Sequence, residues 1–144
     1  MIHIPSTILI VDDVEINRSI LADILSDYDI LEADNGVSAV DIMRKNRENI
    51  SLVLLDVAMP EMDGFQVLEI MNKEGIIKEI PVVLISADDS EKVIAHAYDL
   101  GAADYIRRPF NVRIIERRIK NTMLIYEREE QLKKVINKKL SDCQ

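Results

Sequence analysis

Cysteine occurs once in these 144 residues, and that thiol, Cys143, stands next to the end of the sequence. No disulfide framework is therefore available, and no Cys/His cluster has zinc-like spacing; a reducing, cytoplasmic setting is the expectation. Long apolar runs are missing as well. Nothing approaches the ~18 residues that a membrane helix needs, and the opening MIHIPST has no basic stretch followed by an apolar one. A soluble, unprocessed chain without membrane contact is expected. Basic charge is scarce over most of the length: residues 1–112 carry 9 Lys/Arg against 21 Asp/Glu, a net −12. Such a body repels phosphate backbones, which argues against nonspecific nucleic-acid binding, and it suits a cation. Only residues 113–144 reverse the sign, with 9 basic and 5 acidic residues, so the organisation of the chain changes near residue 112.

Apolar residues are plentiful, at 48% of the chain, enough to bury a sizeable core. They fall in short runs: TILIV at 7–11, DILEA at 29–33, LVLL at 52–55, VVLI at 82–85 and DYIR at 104–107. Three of these are continuous rather than alternating, the pattern of parallel strands covered on both faces. Helical spacing fills the intervals, through Ile16, Ile20 and Ile24 with Leu21 and Leu25 beside them, then Phe65, Leu68 and Met71, then Val93, Ile94, Ala97 and Tyr98. Asn35-Gly36 and Asp63-Gly64 punctuate helix starts, Pro81 opens a strand, and Gly101 stands where a helix C-cap wants it. Five strand and helix pairs predict a doubly wound α/β domain.

Open parallel sheets bind ligands beyond the carboxyl ends of their strands. Those ends carry Asp12 and Asp13 after the first strand, Asp56 after the third, Ser86 after the fourth, and Arg107, Arg108 and Pro109 after the fifth. Three carboxylates brought together raise one another's pKa unless a cation joins them, and an oxygen-rich site of this kind suits Mg²⁺ or Mn²⁺. One carboxylate is then placed to act as nucleophile toward a phosphoryl group, while metal and guanidinium neutralise its oxygens and the Ser86 hydroxyl donates to it. Taken singly, each residue has a plainer explanation: Asp12 and Asp13 as helix caps, Asp56 as a loop acid, Ser86 as a strand terminator, Arg108 as a surface cation. Their joint placement at the same end of four strands favours the chemical reading.

In order along the chain, IVDD, LLDVAMPEMDG, ISA, GAADYI and RPF resemble the receiver domain of two-component response regulators, including the chemotaxis regulators. The resemblance covers about residues 5–120. It implies a five-stranded parallel sheet in the flavodoxin-like order 2-1-3-4-5, with Asp56 as phosphoacceptor and Asp13 as a direct metal ligand. Asp12 would act through a metal-bound water, and the backbone carbonyl of Ala58 would complete the protein ligands. Ser86 matches the family's switch hydroxyl and Tyr105 its switch aromatic, which would rotate inward when the phosphoryl group draws Ser86 in. The peptide before Pro109 is expected to be cis. The implied partner is a histidine kinase or phosphotransfer protein, and the only chemistry implied is the domain's own phosphorylation and dephosphorylation. One departure stands out: the family has Lys where this chain has Arg108, and a planar, forked guanidinium does not stand in for a compact ammonium.

From Asn111 onward the sequence has neither Gly nor Pro, so the last receiver helix is expected to continue, making residues 1–120 the receiver and 121–144 a helical extension. Ile115, Ile119, Thr122 and Tyr126 form one stripe and Leu132, Val135, Ile136 and Leu140 another, an imperfect heptad pattern that reads as a dimerising connector to an output domain or as a solvated extension. Acidic residues interleave with the basic ones and there is no stacking platform, so direct nucleic-acid binding is not expected. Two functions of different class remain open: a phosphorylation-controlled switch, and a phosphorylation-independent interaction or dimerisation module. The three intact acids favour the first. A free-standing hydrolase of small phosphate esters has little support.

Overall fold

Residues 6–88 and 90–143 are described by the computed structural model; part of the N-terminal stretch, for which no leader is expected, lies outside them. Among the described residues eleven elements follow in order: β1 (Thr7–Val11), α1 (Glu15–Ile24), β2 (Asp29–Ala33), α2 (Gly36–Lys45), β3 (Ile50–Asp56), α3 (Gly64–Lys73), a 3-10 turn (Ile76–Lys78), β4 (Val82–Ser86), α4 (Glu91–Asp99), β5 (Asp104–Arg107) and α5 (Val112–Asp142). The five strands form one parallel sheet in the order β2-β1-β3-β4-β5. The central strands are those whose sequence is continuously apolar, and alternate residues feed opposite cores. Leu9, Val53, Leu55 and Leu84 pack under α2, α3 and α4, whereas Ile8, Ile10, Leu52, Leu54, Val83 and Ile85 pack under α1 and α5. Covering both faces is what makes every one of these side chains apolar. Edge strand β2 is correspondingly half-exposed.

Local signals set the helix ends. Asn35 caps α2 by accepting from the Ser38 N–H at 2.7 Å, Asp63 and Gln66 form a reciprocal capping box at α3, and Asn111 accepts from the Arg113 N–H at 2.9 Å to start α5. Gly101, at φ +96, ends α4 in the left-handed conformation that costs glycine least. The Arg108–Pro109 peptide is cis. No helix among the described residues is long and apolar enough to cross a membrane.

Two apolar stripes are arranged differently from the expectation. On α1 the inward face is Leu21 and Leu25, at 2% and 1% exposure, while Ile16 and Ile20 turn outward at 67% and 47%. A ten-residue helix has room for one core-facing stripe, and the leucines win it. On α5 the first stripe is core rather than a free seam: Ile115, Ile119 and Thr122 are buried and Tyr126 is half-buried. The helix then runs on without a break past residue 120 to Asp142, carrying Leu132, Val135, Ile136 and Leu140 into solvent.

Candidate functional site

At the carboxyl edge of the sheet, β1 delivers Asp12 and Asp13, β3 delivers Asp56, β4 delivers Ser86, and β5 leads into Arg108. Carboxylate oxygens of Asp12, Asp13 and Asp56 lie within 4.8 Å of one another. Asp12 and Asp56 are buried, at 1% and 6% exposure, and Asp13 faces solvent. Gly64 allows this packing, because a Cβ there would stand 2.7 Å from the Asp56 carbonyl oxygen and 2.9 Å from the Val57 Cα. The sequence marks that glycine as a turn residue; its larger role is to let α3 start against the backbone of the acid-bearing strand.

Arg108 bridges the two buried acids. Its Nη2 donates to Asp12 Oδ2 at 2.7 Å and its Nη1 to Asp56 Oδ1 at 3.3 Å. The other oxygen of Asp12 accepts the Val14 N–H at 2.9 Å, and Arg18 holds the Asp12 carbonyl at 2.8 Å. Burial, with the Asp12 charge beside it, pushes the Asp56 carboxyl from its usual 3.8 up to about 6; Arg108 and the Ala58 N–H pull the other way without cancelling this. The group is thus an acid whose charged form is held at a cost, which a further cation would offset. Hard oxygen donors of this number, at this spacing, with one exposed edge for waters, fit Mg²⁺ or Mn²⁺. Ala58, expected to lend its carbonyl, is exposed in the loop after β3.

Ser86 is buried at the end of β4, and its Oγ accepts the Asp88 N–H at 3.1 Å. Tyr105 is already inside, 4% exposed, with its hydroxyl donating to the Asp88 carbonyl at 2.7 Å. Residue 88 therefore joins the hydroxyl beside the site to the aromatic ring behind it through its two backbone groups.

A family model described as the response regulator receiver domain matches residues 8–120. The chain belongs to that family. Among curated relatives of this receiver, histidine kinase P4 of Formosa agariphila is 39% identical over 82% of the chain, which spans 8% of that protein. Two-component response regulator ORR3 of Oryza sativa is 34% identical over 71% of the chain, which spans 79% of it. Among solved structures, a chain of the CheX–CheY–BeF₃–Mg²⁺ complex from Borrelia burgdorferi superposes with a TM-score of 0.75 at 32% identity, covering 82% of this chain and 89% of that one. The receiver thus occurs in proteins that differ widely in length.

Three features of the site lack a signal in the motifs. Arg18 grips the Asp12 backbone from α1, a contact that only folding reveals. The double link through residue 88 uses backbone atoms and leaves no mark in residue type. Beside the acids lies an open groove of ≈ 520 Å³ lined by Asn17, Ile20, Leu21, Ala87, Pro109 and Phe110, with Arg108 in its wall. Its apolar lip includes Ile20, one of the isoleucines whose helical spacing the sequence shows and which the fold leaves exposed.

Proposed function

We propose that this receiver accepts a phosphoryl group on Asp56 from a phosphohistidine of a kinase or phosphotransfer protein. The observation that carries the reading is the buried Asp56 carboxylate at the end of β3, held beside Asp12 and Asp13 and touched by the Arg108 guanidinium. An Asp56 carboxylate oxygen attacks phosphorus, the P–N bond to the donor imidazole breaks, and the departing ring takes up a proton. Mg²⁺ or Mn²⁺, held by Asp13 and Asp56 with Asp12 and the Ala58 carbonyl completing the set, would supply positive charge to the phosphoryl oxygens. Arg108, in contact with Asp56, adds a second positive charge beside the acceptor. Ser86, whose Oγ already accepts one hydrogen bond, has its own proton to give to a phosphoryl oxygen. That donation draws Ser86 toward the site and passes through residue 88 to Tyr105, biasing the α4–β5–α5 face between two states.

The donor docks on the groove by Ile20, Pro109 and Phe110, whose apolar lip is solvent-exposed next to the acids. The output is a partner protein or an attached domain reached through α5, whose exposed Leu132, Val135, Ile136 and Leu140 also offer a seam for a second copy. Turnover of a free substrate is not part of this function; the domain acts on its own acyl phosphate alone. Acetyl phosphate with Mg²⁺, followed by intact mass, is the direct experiment. One added phosphoryl group in wild type, absent in Asp56→Asn, is the expected result. A wild-type chain that remains unmodified with both acetyl phosphate and kinase donors sinks the reading in favour of a phosphorylation-independent module.

A further inference from the structure

Arg108 does more at this site than a point charge could. Its two Nη atoms grip two different acids, and the one gripped harder is Asp12, at 2.7 Å against 3.3 Å for Asp56. With Val14 N–H on Oδ1 and Arg108 on Oδ2, each Asp12 oxygen already has a partner. An entering divalent cation would find a guanidinium among its own carboxylates, and two cations sharing one pair of acids repel each other. We propose that Arg108 is a built-in counter-cation that competes with the divalent metal for Asp12, so that metal entry releases the guanidinium from this acid. The displaced side chain has somewhere to go. Arg108 is 26% exposed and forms part of the wall of the open groove between α1 and the β5–α5 loop, where Asn17, Ala87 and Phe110 lie. Its long, flexible stem allows the swing. Metal occupancy is thereby written into the groove wall, so the docking surface differs between the metal-free and metal-loaded receiver.

The inference rests on the metal-site reading above, and its test separates the two. Affinity for Mg²⁺ is measured by calorimetric titration at constant ionic strength and pH 7.5 on wild type, Arg108→Lys and Arg108→Met. Lysine keeps the charge but is shorter and lacks the two separated Nη donors that span Asp12 and Asp56, so Arg108→Lys is expected to bind Mg²⁺ roughly tenfold more tightly, the worth of one charge-assisted hydrogen bond to Asp12. Arg108→Met is expected to bind tighter still. Equal affinity in wild type and Arg108→Lys overturns the proposal, including the case in which only Arg108→Met tightens, since that pattern reports net charge alone. If none of the three binds Mg²⁺, it is the metal site itself that fails, and the inference falls with it. A measurement on wild type guards against misfolded variants: the Arg108 guanidinium NMR signals should shift and exchange faster on Mg²⁺ addition, and signals that do not move refute the release.

Discussion

Replacing Asp56 by Asn is expected to stabilise the metal-free receiver, although it deletes half of an ion pair. The carboxyl is raised from 3.8 to about 6 in the folded chain, first by burial and next by Asp12. The native state then holds this proton more tightly than the unfolded state does, so the contribution of the group to stability is fullest below pH 3.8. It is lost as pH rises through 6. Across that interval of about two pH units, at about 1.36 kcal/mol each, the ceiling is about 3 kcal/mol; screening through the open Asp13 side brings it to roughly 1–2 kcal/mol. Asn keeps an acceptor for the Ala58 N–H, is never charged, and leaves Arg108 on Asp12. Urea denaturation in EDTA should therefore show Asp56→Asn more stable than wild type at pH 7.5, with the gap closing toward pH 4. Every other titrating group is common to both proteins, so the pH dependence of the difference reports Asp56 together with its coupling to the neighbouring acids. Saturating Mg²⁺ should narrow or reverse the gap at pH 7.5, because binding to the native state favours the charged site. If Asp56→Asn is the less stable protein in EDTA at pH 7.5, or if the gap is the same at pH 4, the account of a charge held at a cost is wrong.

Other perturbations follow from contacts described above. Gly64→Ala drives a methyl group into the Asp56–Val57 backbone and should cost about 1–3 kcal/mol in urea denaturation, with weakened Mg²⁺ binding as the local signature. Glu61 lies at φ +66 in the loop after β3, so Glu61→Gly should raise stability by up to about 1 kcal/mol, and a loss would show that the side chain has a role of its own. On α1, Leu21→Ala should cost about 2–5 kcal/mol, whereas Ile16→Asp with Ile20→Asp should change stability by about 1 kcal/mol or less and slow phosphoryl transfer from a kinase while leaving acetyl phosphate labelling unchanged. If α5 forms a parallel in-register pair, oxidation should link two chains through Cys143, and a chain that stays monomeric under mild oxidant removes that arrangement.

The sheet was readable because its chemistry is redundant. Between their ends the central strands are apolar on both faces because both faces are covered, so TILIV, LVLL and VVLI announce themselves without reference to any partner. The acids are readable for the opposite reason: a charged residue directly after such a run violates the local pattern, and Asp12, Asp13 and Asp56 do so at one edge of the sheet. Legibility ends where two local patterns compete. On α1, Ile16, Ile20 and Ile24 keep perfect four-residue spacing, yet Leu21 and Leu25 lie nearer the sheet, and only the packed structure ranks two adequate stripes. In α5 one apolar stripe serves the core up to Thr122 and a second lies in solvent after Tyr126; Glu129 and Glu130 interrupt the pattern between them but do not say which half is packed. Contacts made by backbone atoms, such as those of residue 88 with Ser86 and Tyr105, lie outside what side-chain identity encodes.

Because α5 leaves the body as one unbroken helix, it converts angle into distance and residue count into direction. Its last 16 residues, Glu127–Asp142, stand clear of the core; at ~1.5 Å per residue that is an arm of about 24 Å, so a pivot of about 10° near Tyr126 would sweep the tip through about 4 Å. Any rearrangement on the α4–β5–α5 face is thus magnified at the far end. The arm also has an azimuth: each residue inserted into it turns everything beyond by about 100°, while seven residues nearly restore the original heading. Whatever the tip engages is therefore addressed by phase as well as by reach, and single-residue insertions after Tyr126 should alter its output cyclically while leaving the chemistry at Asp56 unchanged.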